Sequence, residues 1–332
     1  MGISKSSPLN HCSGTEFNRA RYSTCNCHTG DFSILKRNIL FNLFGQSTLV
    51  LISFVSFKYI YSSLGEDGLG IIYFSLMIGN ILAASLEFGL AKTAIREIAC
   101  HIDREPSYIE KLLQCFSFIY LSSYTVLAVV LALSVPFIIH HWINLTSMAP
   151  ELASQALLVI SEASLLAILI TFFSSILVGL QKMQIKNSID VATAIVQQGG
   201  IIVILFHTEN LILVGYWIAA SNFFCLGCYI FAISRFFSLR ILLPNFSMPV
   251  ILRVKEYLAN MAGISILGLM LKQTDKLLVS FFLPIGILGV YGFVFQSVAK
   301  LGLITESIMQ ALFPAISELH QRDGNRHYKY KE

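Results

Sequence analysis

Charge is scarce in this sequence, and positive charge is missing altogether from one set of its loops. Asp, Glu, Lys and Arg make up 13% of the 332 residues, while 55% are hydrophobic and the mean hydropathy is +0.70. Soluble domains carry about 25% charged residues, so a chain this apolar falls outside that class. The first 30 residues are polar and lack the apolar stretch of a cleavable signal peptide. No nucleotide-binding loop of the Walker type is visible, which argues against direct ATP drive. His11, Cys12, Cys25, Cys27 and His28 are residue types that hold zinc, yet Cys25 and Cys27 are spaced more tightly than the common ligand pair. A disordered cytoplasmic segment over residues 1–31, with no metal and no cofactor, is the expectation. Cys225 and Cys228 have redox-motif spacing but fall inside an apolar run, where Cys serves as a small hydrophobe. Asn144-Leu145-Thr146 forms a glycosylation sequon, a triplet common by chance.

What the sequence does contain is a series of long apolar runs, at 38–61, 71–90, 112–139, 152–180, 185–206, 211–236, 255–283 and 287–313. Each is long enough to cross a hydrocarbon core about 30 Å thick as a helix. The eight runs predict an all-α polytopic membrane protein. Nineteen of the 23 Lys and Arg residues lie in segments on one side of these spans: the N-terminal segment, the connections after spans two, four and six, and the tail. The alternate loops at 62–70, 140–151, 207–210 and 284–286 contain neither residue. Positively charged loops stay in the cytoplasm, so both termini are predicted to be cytoplasmic in a multi-pass protein. The net charge of +4 reports this orientation and requires no nucleic-acid partner.

A weak internal repeat accompanies the spans. Leu64, Leu69, Gly70, Phe74 and Leu82 match Leu283, Leu288, Gly289, Phe293 and Leu301 at one offset of 219 residues. Both windows consist of an apolar span, a short turn and a second apolar span ending near basic residues, the design of duplicated transporter halves. Two halves of that length would need about 440 residues, so the second is expected to be represented only by its first helix pair.

Ser63–Ala99, SLGEDGLGIIYFSLMIGNILAASLEFGLAKTAIREIA, resembles the opening helix pair of the polysaccharide-transporter branch of the multidrug, oligosaccharidyl-lipid and polysaccharide flippase superfamily. So does Lys272–Leu319, with Asp275-Lys276 before an apolar stretch, a Gly289-Val290-Tyr291 turn and a terminal Phe313-Pro314. The resemblance covers about Phe32 to Leu319. It implies two facing six-helix bundles that move a polyprenyl-pyrophosphate oligosaccharide, such as an O-antigen repeat unit of lipopolysaccharide, across the cytoplasmic (inner) membrane by alternating access. Residues 32–240 would form the N-lobe, 241–319 the first two helices of a C-terminally incomplete C-lobe, and 320–332 a cytoplasmic tail. Partners implied are the lipid-linked oligosaccharide, the bilayer and other polysaccharide-assembly proteins.

The intramembrane charges suggest where the work is done, since a charge costs about 2.5–3.5 kcal/mol at the centre of an inserted helix and must find water or a partner. At about 1.5 Å per residue, Lys272, Lys300 and Glu162 lie nearest the bilayer midplane. Lys272 and Lys300 read as cavity cations for a pyrophosphate, or as lysines that snorkel or pair with Asp275 or Glu306. Asp275, three residues from Lys272, is placed either for an ion pair or for lining the cavity. Glu162 has no basic neighbour in its own helix and is the candidate for ion coupling. Arg96 lies in the family-like string and either holds a headgroup or pyrophosphate at the cytoplasmic entrance or simply obeys the positive-inside bias. Lys58, Glu87, Lys92 and Asp190, nearer helix ends, are expected to snorkel. Gln197-Gln198-Gly199-Gly200 interrupts an apolar run and reads equally as close packing through glycine or as a cavity wall.

Among rival classes, a membrane glycosyltransferase or ligase would need acid–base or cationic residues gathered on a sizeable aqueous loop, and the external loops are short and without Lys or Arg. The chain is accordingly read as no enzyme. A drug or cation antiporter of the same superfamily would favour acidic residues in its cavity, whereas Lys272 and Lys300 favour an anion. A non-functional truncated flippase is the third alternative.

Overall fold

The computed structural model describes residues 31–87, 89–238, 243–299 and 302, and Gly45–Ile304 forms one compact unit. The described residues contain no strand. Among the described residues nine helices follow one another: α1 (Asp31–Glu87), α2 (Leu90–His101), α3 (Pro106–His141), α4 (Pro150–Leu165), α5 (Ala167–Gly179), α6 (Met183–His207), α7 (Leu211–Ile233), α8 (Met248–Phe282) and α9 (Ile285–Ala299). Six of the helical stretches are long and apolar enough to cross a membrane: Leu51–Ser85, Pro106–His141, Pro150–Gly179, Met183–His207, Leu211–Ile233 and Met248–Phe282.

Local signals set the helix starts. Proline opens α3 and α4, where a missing N–H costs nothing. Asn210 caps α7 by accepting from the amides of Ile212 (2.9 Å) and Leu213 (3.2 Å). Outward faces carry Leu133, Phe137, Phe206 and Phe231, all exposed, which in water would be a liability and in lipid is the ordinary condition. The interior divides into two apolar clusters. One is centred on Ile98, Leu112, Phe116, Phe172 and Tyr229, the other on Leu69, Phe74, Leu157, Ile160 and Val214.

Helix α1 is not one rod. Gly65 has φ 70° and ψ −171°, a backbone region that only glycine enters freely, and the chain folds back there. Ser53 and Leu76 line the same cavity, although a straight helix would hold them about 35 Å apart. The first two predicted spans are therefore the limbs of one hairpin. Asp67, just past the turn, fixes this hairpin to the α3–α4 loop. Its buried carboxylate accepts from the Thr146, Ser147 and Met148 amides at 2.9, 2.6 and 2.9 Å and from the Thr146 and Ser147 hydroxyls at 2.8 and 3.1 Å. Thr146 of the sequon is thus engaged by a carboxylate.

A second hairpin stands at the repeat-related position. The break between α8 and α9 falls at Leu283-Pro284, the equivalents of Leu64-Gly65 at the offset of 219. The two hairpins meet through equivalent residues. A Cβ on Gly289 would lie 2.7 Å from the Gly70 nitrogen, and one on Gly292 would lie 2.8 Å from the Tyr73 ring. Gly70 matches Gly289 and Tyr73 matches Gly292, so the second limb of α1 and α9 run parallel and cross at corresponding points. That is the contact pattern of two copies related by an axis along the helices. Glycine is required at the crossing because a Cβ on Gly70 would collide with the Ile285 carbonyl oxygen, which is main chain and cannot turn away. Gly70→Ala should cost about 1–3 kcal/mol by overpacking, read as a lower melting temperature in detergent. Gly263→Ala, with open space around its Cβ, should not.

Candidate functional site

Between the second limb of α1, α8 and α9 lies a cavity of about 140 Å³. Its walls include Tyr73, Met77 and Asn80 from α1 and their repeat equivalents Gly292, Gln296 and Ala299 from α9, so it sits on the line that relates the two hairpins. Gln273 and Lys276 of α8 complete the polar lining. Lys276 is 8% exposed and is the one buried Lys or Arg among the described residues. Its ammonium donates to the Lys272 carbonyl (2.6 Å) and to Gln273 Oε1 (3.2 Å), and stands 3.6 Å from the centre of the Phe295 ring. Those partners are neutral. No carboxylate lies within ion-pair distance of Lys276 among the described residues, Asp275 acting on it only from farther off, so a positive charge is held inside a span chiefly by dipoles and a ring face. Chemically this arrangement attracts an anion.

Asp275 does not pair with Lys272. Its carboxylate accepts from Tyr291 of α9 at 2.5 Å and from the Lys276 amide at 2.9 Å, so it ties α8 to α9 beside the cavity. Lys272 points away: its side chain is exposed and lines neither described cavity, while its carbonyl serves Lys276. Lys300 and Glu306 lie outside the described residues. Sequence reasoning passed over Lys276 because its neighbour Lys272 lies deeper. The available signal was that only Lys276 falls one helical turn beyond Lys272 and at the offset of Phe57, an interior position of the first hairpin.

A second cavity of about 70 Å³ adjoins the first and shares Tyr73 and Gln296 with it. Gln197 and Gln198 of α6 form part of its wall. Both readings of the Gln-Gln-Gly-Gly run hold together: a Cβ on Gly200 would run into the Trp217 ring, while the two glutamines face the cavity. Trp217 Nε1 donates to the Gln197 carbonyl at 3.1 Å.

The model of a family described as polysaccharide biosynthesis protein matches residues 35–320. The chain belongs to that family of polysaccharide transporters. No curated protein matches this family member. A solved structure titled "protein A" is similar over 86% of this chain and 64% of its own, at 16% identity and a TM-score of 0.45. The chain thus spans less than two thirds of that protein's length. That likeness carries no argument.

The remaining charged residues line neither of the two cavities. Glu162 is half-buried in α4, within electrostatic reach of Tyr124 of α3, and forms no hydrogen bond or ion pair with another described residue. Arg96 is half-exposed on α2, 4.4 Å from the centre of the Tyr257 ring of α8 and 3.7 Å from Glu97. Glu97 is buried and accepts from Tyr108 at 3.1 Å, with His101 Nδ1 3.3 Å away. Asp190 is held by Lys186 at 2.6 Å and by Tyr229 at 2.5 Å. Cys225 and Cys228 are free thiols one turn apart in α7, the former buried in the apolar cluster, as packing residues are.

Near the start of α8, Arg253 grips Glu105 with two hydrogen bonds, of 2.8 and 3.0 Å, and lies 3.9 Å over the Tyr108 ring. The guanidinium holds the Glu105 carboxyl below the usual carboxylate range. A carboxyl lowered in the folded state contributes stability at neutral pH and loses it as the pH falls through that lowered value. The contact is open to solvent, so its contribution is small. The melting temperature of wild type should approach that of Glu105→Gln in acid and exceed it slightly at pH 7.

Proposed function

We propose that the protein moves a polyprenyl-pyrophosphate oligosaccharide across the cytoplasmic membrane for surface polysaccharide assembly, such as O-antigen, by alternating access. Family membership supports transport in polysaccharide biosynthesis, and the observation that carries the lipid-linked anion is Lys276. A buried ammonium with no carboxylate within ion-pair distance among the described residues, on the line between two repeated hairpins, suits an anion where duplicated transporters place their substrates. Its compact charge suits a pyrophosphate. In this reading α3 to α7 and the α1 hairpin form the N-lobe, α8 and α9 begin the second lobe, and eight segments cross the membrane. Both termini lie in the cytoplasm.

The direct test is reconstitution of the full chain in vesicles carrying a fluorescent polyprenyl-diphosphate sugar in both leaflets, with a membrane-impermeant quencher outside. Translocation predicts that quenching proceeds past the outer-leaflet fraction. Quenching that stops there, as in protein-free vesicles, would reject the proposal. Orientation is checked separately. Arg104→Cys, in a background without other cysteines, should resist an impermeant thiol reagent applied to intact cells; labelling from outside would reverse the assignment.

A further inference from the structure

We propose that the smaller cavity is a hydroxyl-recognising subsite that binds one edge of the sugar carried by the lipid. The inference rests on the flippase reading and specifies the chemistry of its substrate. Ser56 lines this cavity and is 2% exposed, and its hydroxyl has no hydrogen-bond partner among the described residues. Gln197, Gln198 and Gln296 add three side-chain amides, none bonded to another described residue. Ser56 is the fully buried one of the four, the glutamines being partly buried, and away from water a polar group without a partner is strongly disfavoured. Such a cluster persists where something polar fills it.

The lining identifies the occupant. It holds neither carboxylate nor Lys or Arg, so it favours neither a cation nor the pyrophosphate. Amides and hydroxyls both donate and accept, and they match neighbouring sugar hydroxyls, which do the same. Phe57 and Phe293, stacked at 3.9 Å, supply an apolar wall for the C–H face of a ring. The cavity of about 70 Å³ is smaller than a hexose and accommodates its hydroxyl edge. Its shared wall with the Lys276 cavity, Tyr73 and Gln296, places sugar and pyrophosphate subsites side by side, as they are linked in the substrate.

The full chain in nanodiscs provides the test, because the sequence has two Trp residues and Trp217 bonds to the Gln197 carbonyl beside the cavity. Trp fluorescence is titrated with polyprenyl diphosphate and with the same lipid bearing one N-acetylglucosamine. Wild type should bind the glycosylated lipid about tenfold more tightly, a factor that two buried hydrogen bonds supply. In Gln197→Leu/Gln198→Leu the preference should vanish while binding of bare polyprenyl diphosphate stays unchanged. Gln198→Met, close in volume, should lose part of the preference and guards against misfolding of the pair. A wild type that does not distinguish the lipids, or a Gln198→Met that keeps the whole preference, overturns the subsite and leaves a water-filled cavity. If neither lipid binds, the flippase reading has failed. Free N-acetylglucosamine at millimolar concentration then decides the subsite, and the absence of a saturable response overturns it too.

Discussion

Lys276→Ala is expected to lower export of surface polysaccharide at least about tenfold, and Lys276→Glu to abolish it, in cells whose export depends on this protein. A charged hydrogen bond to a pyrophosphate inside the bilayer contributes about 1.5–3 kcal/mol, and about 1.4 kcal/mol is tenfold. Alanine removes that attraction, and glutamate replaces it with repulsion in a space of low dielectric. Lys276→Met preserves the length and the Phe295 contact and should fail nearly as badly as alanine, because the charge rather than the volume is used. Lys276→Arg keeps a cation that also stacks on aromatic faces and should retain most export. Lys272→Ala should change little, since its side chain is exposed and the carbonyl that serves Lys276 remains. Complementation measured by surface polysaccharide, with membrane levels of each variant controlled, reads all five. Wild-type export with Lys276→Met would show that the ammonium is not part of the path.

Asp67→Ala should cost about 3–5 kcal/mol, the range for breaking a buried hydrogen-bonded network around a charge. Five hydrogen bonds end on this one carboxylate, three of them from consecutive backbone amides of the α3–α4 loop. Alanine leaves those amides without an acceptor. Asp67→Asn should cost less, since the carboxamide keeps one acceptor oxygen while its NH2 faces donors. Thermal unfolding in detergent measures both. Because Asp67 sits two residues from the Gly65 fold-back, the loss should begin as opening of the α1 hairpin, visible as early protease sensitivity near residue 65. An unchanged melting temperature for Asp67→Ala would mean that the loop is held by other contacts.

Much of the architecture could be read directly. Apolar runs announced the helices because a span must satisfy all its own backbone bonds and cover itself with carbon. The offset between Gly70 and Gly289 was already visible as a handful of identities, and the fold makes them touch. The Gln197–Gly200 run in α6 reads as either close packing through glycine or a cavity wall, and it is both, Gly200 against Trp217 and the two glutamines at the cavity. The site itself was less legible. Counting along a helix favours Lys272, because the count measures depth, whereas burial depends on azimuth. One turn further on, Lys276 is turned inward beneath Phe295, a residue 19 positions away across a turn. Spacing alone leaves Asp275 either to pair with Lys272 or to line the cavity, and Tyr291 on the next helix is the partner it takes.

Composition, the distribution of Lys and Arg and the lengths of the apolar runs by themselves determined that this chain is helical and belongs in a bilayer, and a few identities at one offset pointed to a repeated hairpin. These are properties of single segments and of the solvent each one needs. Only the tertiary structure decided that Lys276 rather than Lys272 is enclosed, that Asp67 ties the hairpin to a loop some 80 residues away, and that two cavities share a wall at Tyr73 and Gln296. Each of those facts depends on which face of one helix meets which face of another. That choice is made by side-chain packing between segments distant in the chain, and no local pattern encodes it.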